Sequence, residues 1–390
     1  MTAARAPARP VIRRAEPERL RIVHLLNHTH RLNGHVHAAV DLACAQSRLG
    51  HDVTICSGGG SFDDLLLANG VAVVRIVQER RPLAVLRAVP ALAQLARHAD
   101  VMHAHMMTSA LLALPGCVLS RVPLVTTVHN AFQRSAIAMG VGRRVIAVSA
   151  AVGRSMARRG IPAGRLRVVL NGTIGAARFE GAPPEPRQLA SPSVLFVGGL
   201  HPRKGVGDLI AAFGLVHAAN AAARLTIVGE GPSLDAYRRD AAAAGCADAV
   251  TFAGAQSDPR SFLQGADVFV LPSHADPAPL VLSEAREAGC AIIATDVDGI
   301  PELLEGGRAG ILVPPRDPKA LAAAIRALID DPGELARWRR NSQVDIAHLG
   351  IARVARDTLA VYAECLRPAP QPSSAGDRIA PAVATEHRRA

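Results

Sequence analysis

Val194-Leu-Phe-Val-Gly-Gly-Leu-His-Pro-Arg-Lys-Gly-Val206 reads as a short apolar strand, a glycine turn and a basic pair that opens a helix. It follows a Pro/Gly-rich stretch, residues 172–192, which contains Gly181-Ala-Pro-Pro and Ser191-Pro192. A strand that restarts after such a breaker marks the start of a second unit. Downstream, apolar runs at 194–197, 225–228, 250–252, 268–271 and 291–295 predict strands. Helical periodicity lies between them at 206–219, 234–244, 259–264 and 280–288, with further helices at 318–329, 332–348 and 351–365.

Upstream the same alternation appears once already. Strands are expected at 21–26, 52–56, 72–76, 101–103, 123–128, 145–148 and 168–170, and helices at 36–49, 62–69 and 83–97. Short β-branched runs separated by amphipathic segments are what βαβ crossovers require. The fold class is therefore α/β, with two doubly wound Rossmann-like domains facing each other across a cleft. In open parallel sheets ligands sit beyond the carboxyl ends of the strands, which makes that cleft the expected site.

Composition agrees with this reading. The 390 residues are 49% hydrophobic but only 3% aromatic, so the cores must be built from Ala, Val, Leu and Ile. That favours helix-covered parallel sheets over an aromatic-rich sandwich. The six cysteines are scattered without a CxxC pair and read as reduced thiols of a cytosolic protein, with no metal site. The longest apolar run, 110–119, is broken by Pro115 and falls short of the roughly 18 residues a membrane span needs. The Arg/Pro-rich start lacks the apolar core of a signal peptide and reads as a basic arm over 1–19.

Charge is uneven. Residues 1–190 hold 24 Arg against 10 Asp and Glu, for +14, and residues 191–390 hold 18 Arg and 2 Lys against 23 Asp and Glu, for −3. The first half is suited to an anionic membrane surface or a lipid-linked phosphate, which would place the protein peripherally on the inner face of the cell membrane. A merely Arg-biased, solvated surface explains the same numbers. Nucleic acid is disfavoured, because no basic-plus-aromatic stacking platform is visible.

Four stretches carry chemistry. In Leu271-Pro-Ser-His-Ala-Asp-Pro-Ala-Pro-Leu-Val-Leu-Ser-Glu-Ala285, Asp276 follows a strand and Glu284 lies inside the next helix. Pro279 suits the first helical position, which leaves the Leu280 and Val281 amides free at the positive end of a helix to seat a diphosphate. An Asp cap and a solvated helix Glu explain the same spacing. In the 194–206 stretch, Gly198 and Gly199 let backbone approach a phosphate, and Lys204, beside Arg203, adds a compact charge. Lys204 stands out because the chain has 44 basic residues and only two lysines. Asn33-Gly34 opens the first helix, and Thr126-Thr-Val-His129-Asn130 aims His129 into the cleft. Either is as readily an ordinary turn glycine or a structural histidine. His103 and His105 hint at a metal, but no third ligand sits at suitable spacing nearby.

Together these stretches resemble the family 4 retaining glycosyltransferases (glycosyl transferases group 1) of GT-B fold, from about Arg21 to Leu366. The C-terminal half carries Val197-Gly-Gly-Leu-His-Pro-Arg-Lys-Gly-Val, Ile227-Val-Gly-Glu-Gly-Pro, Asp276 to Ala285, Asp298-Gly-Ile-Pro-Glu302 and Gly310-Ile-Leu-Val-Pro-Pro in the family's order. The N-terminal match is looser: Asn33-Gly34, Leu49-Gly-His-Asp-Val-Thr, Thr127-Val-His-Asn, Ala147-Val-Ser149 and Val169-Leu-Asn-Gly172.

The resemblance implies a domain plan. Residues 20–180 form an acceptor-binding domain, 181–192 a linker and 193–345 a nucleotide-sugar-binding domain; 346–367 is a helix packing back on the first domain and 368–390 a tail. It also implies that Lys204 neutralises the donor diphosphate, Gly34 lies against it, Glu284 binds the ribose and Asp276 holds the transferred sugar. His129 then lies near the sugar's outer hydroxyls or the reacting centre. Gly229, Glu230 and Gly231 join the donor site through the Ile227-Val-Gly-Glu-Gly-Pro segment. His129, Asp276 and Lys204 are the expected catalytic residues.

The expected reaction is transfer, with retention, from a nucleotide-diphosphate sugar, UDP- before GDP-, to a carbohydrate or lipid-linked acceptor. It needs no metal or other cofactor and belongs in cell-envelope glycan or exopolysaccharide synthesis. Three positions depart from the family. Gly199 replaces a usual Arg, with Arg203 as its possible substitute; Asp276 is one methylene shorter than the usual Glu; and the stretch between His129 and Val145 is short, trimming the acceptor side. The first two motivate an alternative, a nucleotide-sugar-binding protein without catalysis. A dehydrogenase or epimerase is disfavoured, because no GxGxxG follows the first strand.

Overall fold

Runs rich in Val, Ile and Leu too short to make helices become strands, buried at the sheet centres where helices cover both faces and only partly buried at 72–75, 166–168 and 250–254. In the computed structural model, which describes residues 19–31, 33–78, 81–182 and 184–366, they form two wholly parallel sheets. The expected arm at 1–19, Arg19 aside, and the tail at 368–390 lie outside the described residues.

The first sheet contains β1 (Arg21–Leu25), β2 (Asp52–Ser57), β3 (Ala72–Arg75), β4 (Val101–Ala104), β5 (Leu124–Val128), β6 (Arg144–Ala147) and β7 (Leu166–Val168). Its spatial order is β3-β2-β1-β4-β5-β6-β7. Five helices connect it: α1 (Gly34–Arg48), α2 (Asp63–Ala68), α3 (Pro82–Arg97), α4 (Met107–Ser120) and α5 (Ala150–Arg158). The second sheet contains β8 (Ser193–Val197), β9 (Arg224–Val228), β10 (Val250–Gly254), β11 (Val268–Leu271), β12 (Ala291–Thr295) and β13 (Ile311–Val313), ordered β10-β9-β8-β11-β12-β13. Its helices are α6 (Val206–Ala219), α7 (Leu234–Ala243), α8 (Arg260–Gly265), α9 (Leu280–Glu287), α10 (Ile300–Leu303), α11 (Pro318–Ile329) and α12 (Pro332–Gln343).

Each sheet reverses direction beside its own first strand, between β1 and β4 and between β8 and β11. Crevices open at such switch points. The two halves also touch after β6, where Ser149 Oγ donates to Pro277 O at 2.7 Å and the Ala150 amide donates to Glu302 Oε2 at 2.7 Å.

The last helix, α13 (Ile351–Leu366), returns to the first half. Its Val354, Val361 and Tyr362 share a core with Ile22, Val36 and Val40. Glu364 takes Arg144 Nε at 2.9 Å and Arg167 Nη2 at 2.7 Å, and these contacts hold its carboxyl down at about 2. All six cysteines are free and buried, and no helix among the described residues is long and apolar enough to cross a membrane.

The chain differs from the sequence expectation in a few elements. The apolar run at 110–119 belongs to a helix, α4, that continues through Pro115 because it packs along α3. The short α5, absent from the sequence expectation, buries Val152, Gly153 and Met156 on one face and is capped by Ser149, whose Oγ accepts from Val152 N at 3.4 Å. The three-residue β13 is too short to announce itself. The long helix expected at 332–348 stops at Gln343, since Asp345 takes a left-handed φ of 54° before a 3-10 turn. Pro279 is the N-cap of α9 and not its first residue.

Candidate functional site

A cavity of about 580 Å³ opens between the carboxyl ends of the two sheets. The first half lines it with Asn33, Gly34, His105, Thr127, His129 and Phe132; the second with Gly198, Gly199, Arg203, Lys204, Asp276, Leu280 and Val281. The elements with the clearest sequence signals thus meet in one place, although Lys204 and His129 are far apart in the chain. Arg203 reaches across, its guanidinium 5.9 Å from the centre of the Phe132 ring.

The second-half wall is made from two loops knitted together by backbone. His274 N donates to Arg203 O at 2.8 Å. Gly205 takes φ 68°, and a Cβ there would sit 1.9 Å from Pro272 O, so only glycine allows the turn after Lys204 to press on the strand end. Lys204 Nζ then lies 2.6 Å from Asp276 Oδ2, with both side chains largely buried. Asp276 is held further by Ser273 Oγ at 3.3 Å and, at its amide, by Asp298 Oδ2 at 2.8 Å. Neither Leu280 nor Val281 gives its amide to a described residue, which leaves two donors at the positive end of α9 facing the cavity. A mobile anion entering here meets a lysine, an arginine and a helix start.

Gly229, Glu230 and Gly231 do not line the cavity. A Cβ on Gly229 would lie 1.9 Å from Gly198 O, and Leu200 N donates to Glu230 O at 2.8 Å, so this segment buttresses the 198–201 turn from behind. Glu284 does not line the cavity either. Its carboxylate is buried 3.5 Å from Arg178 Nη2, while Arg178 pairs with Asp41 at 2.8 Å. Thr173 Oγ1 donates to Asp41 at 2.7 Å. Burial pushes the Glu284 carboxyl upward, and the Arg178 charge holds part of that back. Asp41, on α1, and Arg178, after β7, carry no signature in the sequence.

Behind the first-half wall lies a histidine cluster that local spacing did not reveal. His103 and His105 alternate onto one face, and the parallel register of β1 with β4 sets His24 opposite His103. The ring nitrogens of His24, His103 and His105 include a set within 4.8 Å of one another, so the third histidine that spacing lacked comes from the neighbouring strand. These nitrogens are already engaged. His103 contacts Tyr362 Oη at 2.6 Å and Thr127 Oγ1 at 2.7 Å; His24 contacts Gln46 Oε1 at 2.8 Å and His105 at 2.9 Å. His105 in turn reaches His129 Nε2 at 3.0 Å, so His129 sits at the end of a hydrogen-bonded row and on the cavity wall. Burial lowers the whole group: His24 and His35 to about 4, His129 to about 3, and His103 and His105 well below their usual value.

Comparison with known proteins adds to this geometry. Residues 191–331 match the family model described as glycosyl transferases group 1, and residues 32–173 match that of glycosyltransferase family 4. The glycogen synthase of Mycobacterium tuberculosis is 32% identical over 297 residues, covering 70% of each chain. The D-inositol 3-phosphate glycosyltransferase of Acidothermus cellulolyticus is 34% identical over 308 residues, 67% of this chain and 68% of the relative. Among solved structures, Anabaena Alr3699/HepE in complex with UDP and glucose superposes with a TM-score of 0.75 at 20% identity, over 88% of this chain and 99% of that one.

Proposed function

The chain belongs to the glycosyl transferases group 1 family, and from that premise we propose a retaining, metal-independent transfer of a sugar from a nucleoside diphosphate, UDP before GDP, to a carbohydrate or lipid-linked acceptor. The observation that carries it is the pairing of Lys204 with Asp276 beside the free amides of Leu280 and Val281. A diphosphate and the sugar it bears need that pattern: a cation and helix dipole for the leaving group, an acceptor carboxylate for sugar hydroxyls.

In the transfer, the bond from the anomeric carbon to the diphosphate oxygen breaks as charge builds on the phosphate. Lys204, Arg203 and the start of α9 take up that charge. The acceptor hydroxyl bonds to the anomeric carbon on the face being vacated, and its proton passes to the departing phosphate oxygen, so no protein base is required. His129 lies at the sugar side. Glu284, which meets Arg178 Nη2 at 3.5 Å, keeps acceptor capacity to spare and takes the ribose hydroxyls with it. The Anabaena neighbour with UDP and glucose supports a uridine donor, and the named relatives support a sugar or sugar-like acceptor.

The first half also suits an anionic membrane. Leu83, Leu86, Val118 and Leu119, on the adjacent helices α3 and α4, are 69 to 73% exposed, and Arg121, Arg143 and Arg165 rim a hollow beside Val118. The test of the function is release of free nucleoside diphosphate from a panel of nucleotide sugars, with and without lipid acceptors. Release with retention and with EDTA present supports the reading. Tight donor binding without release in any mixture would instead favour the non-catalytic binding protein.

A further inference from the structure

Resting on the placement of His129 at the transferred sugar, we propose that Gln46, His24 and His105 are positioning residues that fix the tautomer of His129 and leave its Nδ1 a bare acceptor for a sugar hydroxyl. Gln46 and His24 do not line the cavity. Gln46 is fully buried in α1, three rings away from the substrate side.

The argument is proton counting. Burial keeps these rings neutral at ordinary pH, so each carries one N–H and one lone pair. A nitrogen-to-nitrogen contact at hydrogen-bond distance needs one of each. His105 spends both nitrogens on other histidines, Nε2 on His24 Nδ1 at 2.9 Å and Nδ1 on His129 Nε2 at 3.0 Å. Both contacts must therefore point the same way along the row. The Gln46 amide sets the direction: its Oε1, 2.8 Å from His24 Nε2, can only accept, while its Nε2 is buried without a hydrogen-bond partner among the described residues. His24 donates from Nε2, His105 donates from Nε2 to His24, and His129 donates from Nε2 to His105. The remaining nitrogen, His129 Nδ1, has no proton and no hydrogen-bond partner among the described residues, in a residue that lines the cavity. An amide donor in place of Gln46 Oε1 would reverse every step and give His129 an Nδ1–H instead. A hydroxyl of the donor sugar would then lose its acceptor at the moment of orientation.

The experiment reads the tautomers directly in the full chain labelled with ¹⁵N-histidine, by long-range ¹H–¹⁵N correlation at neutral pH. The expected spectrum has His24, His105 and His129 all protonated at Nε2; a proton on His129 Nδ1 overturns the proposal. Two variants sharpen it. Gln46→Met, similar in size but without an acceptor, should mix the tautomers of His129 and lower kcat about tenfold with little change in the KM for donor. His105→Asn, whose Oδ1 can take the place of Nδ1, should keep His129 protonated at Nε2. An unmixed His129 and an unchanged kcat in folded Gln46→Met would overturn it too. The wild-type and His105→Asn spectra decide the matter if Gln46→Met does not fold. The spectra need no turnover, so a chain that cleaves no nucleotide sugar would sink the transferase reading while this one is still judged on its protons.

Discussion

Both sheets wind in the same order about their first strand, yet their central strands bury different things. In the second sheet β8, β11 and β12 enclose Val, Leu, Ile, Phe and Ala, with only Ser193 and Thr295 as buried polar groups. In the first, β1, β4 and β5 bury His24, His103, Thr126 and Thr127 at the same depth. The second half presents Lys204, Arg203, Asp276 and the amides at the start of α9 to the cavity, all from short loops and one helix end. The first half presents side chains backed by a hydrogen-bonded row from several strands and a helix. A phosphate seat needs only a turn and a helix start, whereas a sugar face needs placed donors and acceptors, and a buried donor without a partner costs dearly.

The contrast can be broken where the halves are joined. Replacing Arg178 by Met leaves Asp41 and Glu284 buried without their shared cation, and the chain should lose about 3–5 kcal/mol of stability. Urea unfolding measures this, and a loss under 1 kcal/mol would mean the triad joins nothing. Next in size, Lys204→Ala should cut nucleoside diphosphate release about 100-fold or more, as loss of a transition-state cation does. A phosphate seat made of backbone alone would show itself as a much smaller drop.

Acid should separate the two sheets. Above pH 6.5 the histidine rings are neutral whether folded or not, and nothing is lost. Below it the unfolded rings bind protons that the buried ones do not, because their folded pKa is depressed, so stability falls as pH drops toward about 4. At pH 5 the loss is about 2 kcal/mol for each fully buried ring. Hydrogen exchange at pH 7 and pH 5 should show protection fading in the first sheet and holding in the second; equal fading would erase the distinction. The smallest effect is at the surface. Leu83→Ser with Leu86→Ser should weaken binding to anionic vesicles by about 1–3 kcal/mol and leave donor cleavage unchanged, since each exposed leucine has little to lose in water. Vesicle co-sedimentation reads this, and unaltered binding would move the docking surface elsewhere.

Legibility followed the same division. The turn at 198–205 and the presence of Lys204 and Asp276 on the cavity were readable because each lies within a few residues of a strand end, where local backbone rules suffice. Glu284 was readable as a residue but not in its placement, since Arg178 comes from the connection after β7 and Asp41 from α1. Gly229 and Gly231 stood out as glycines, yet their use as spacers behind another loop depends on how closely two loops pack. His103 and His105 showed their alternation. Their link to His24 needed the pairing of β1 with β4, and their link to Tyr362 needed the return of α13.

By itself the sequence determined the repeated strand–helix alternation, the apolar cores and the glycine- and lysine-bearing loops that line the cavity, since each follows from periodicity and turn chemistry within a dozen residues. The tertiary structure alone decided which buried polar groups share a partner: the histidine row, the Asp41–Arg178–Glu284 triad and the lysine pressed onto Asp276. Such partners are chosen by strand register and helix return, which bring distant residues within 3 Å or so only after the whole chain has folded.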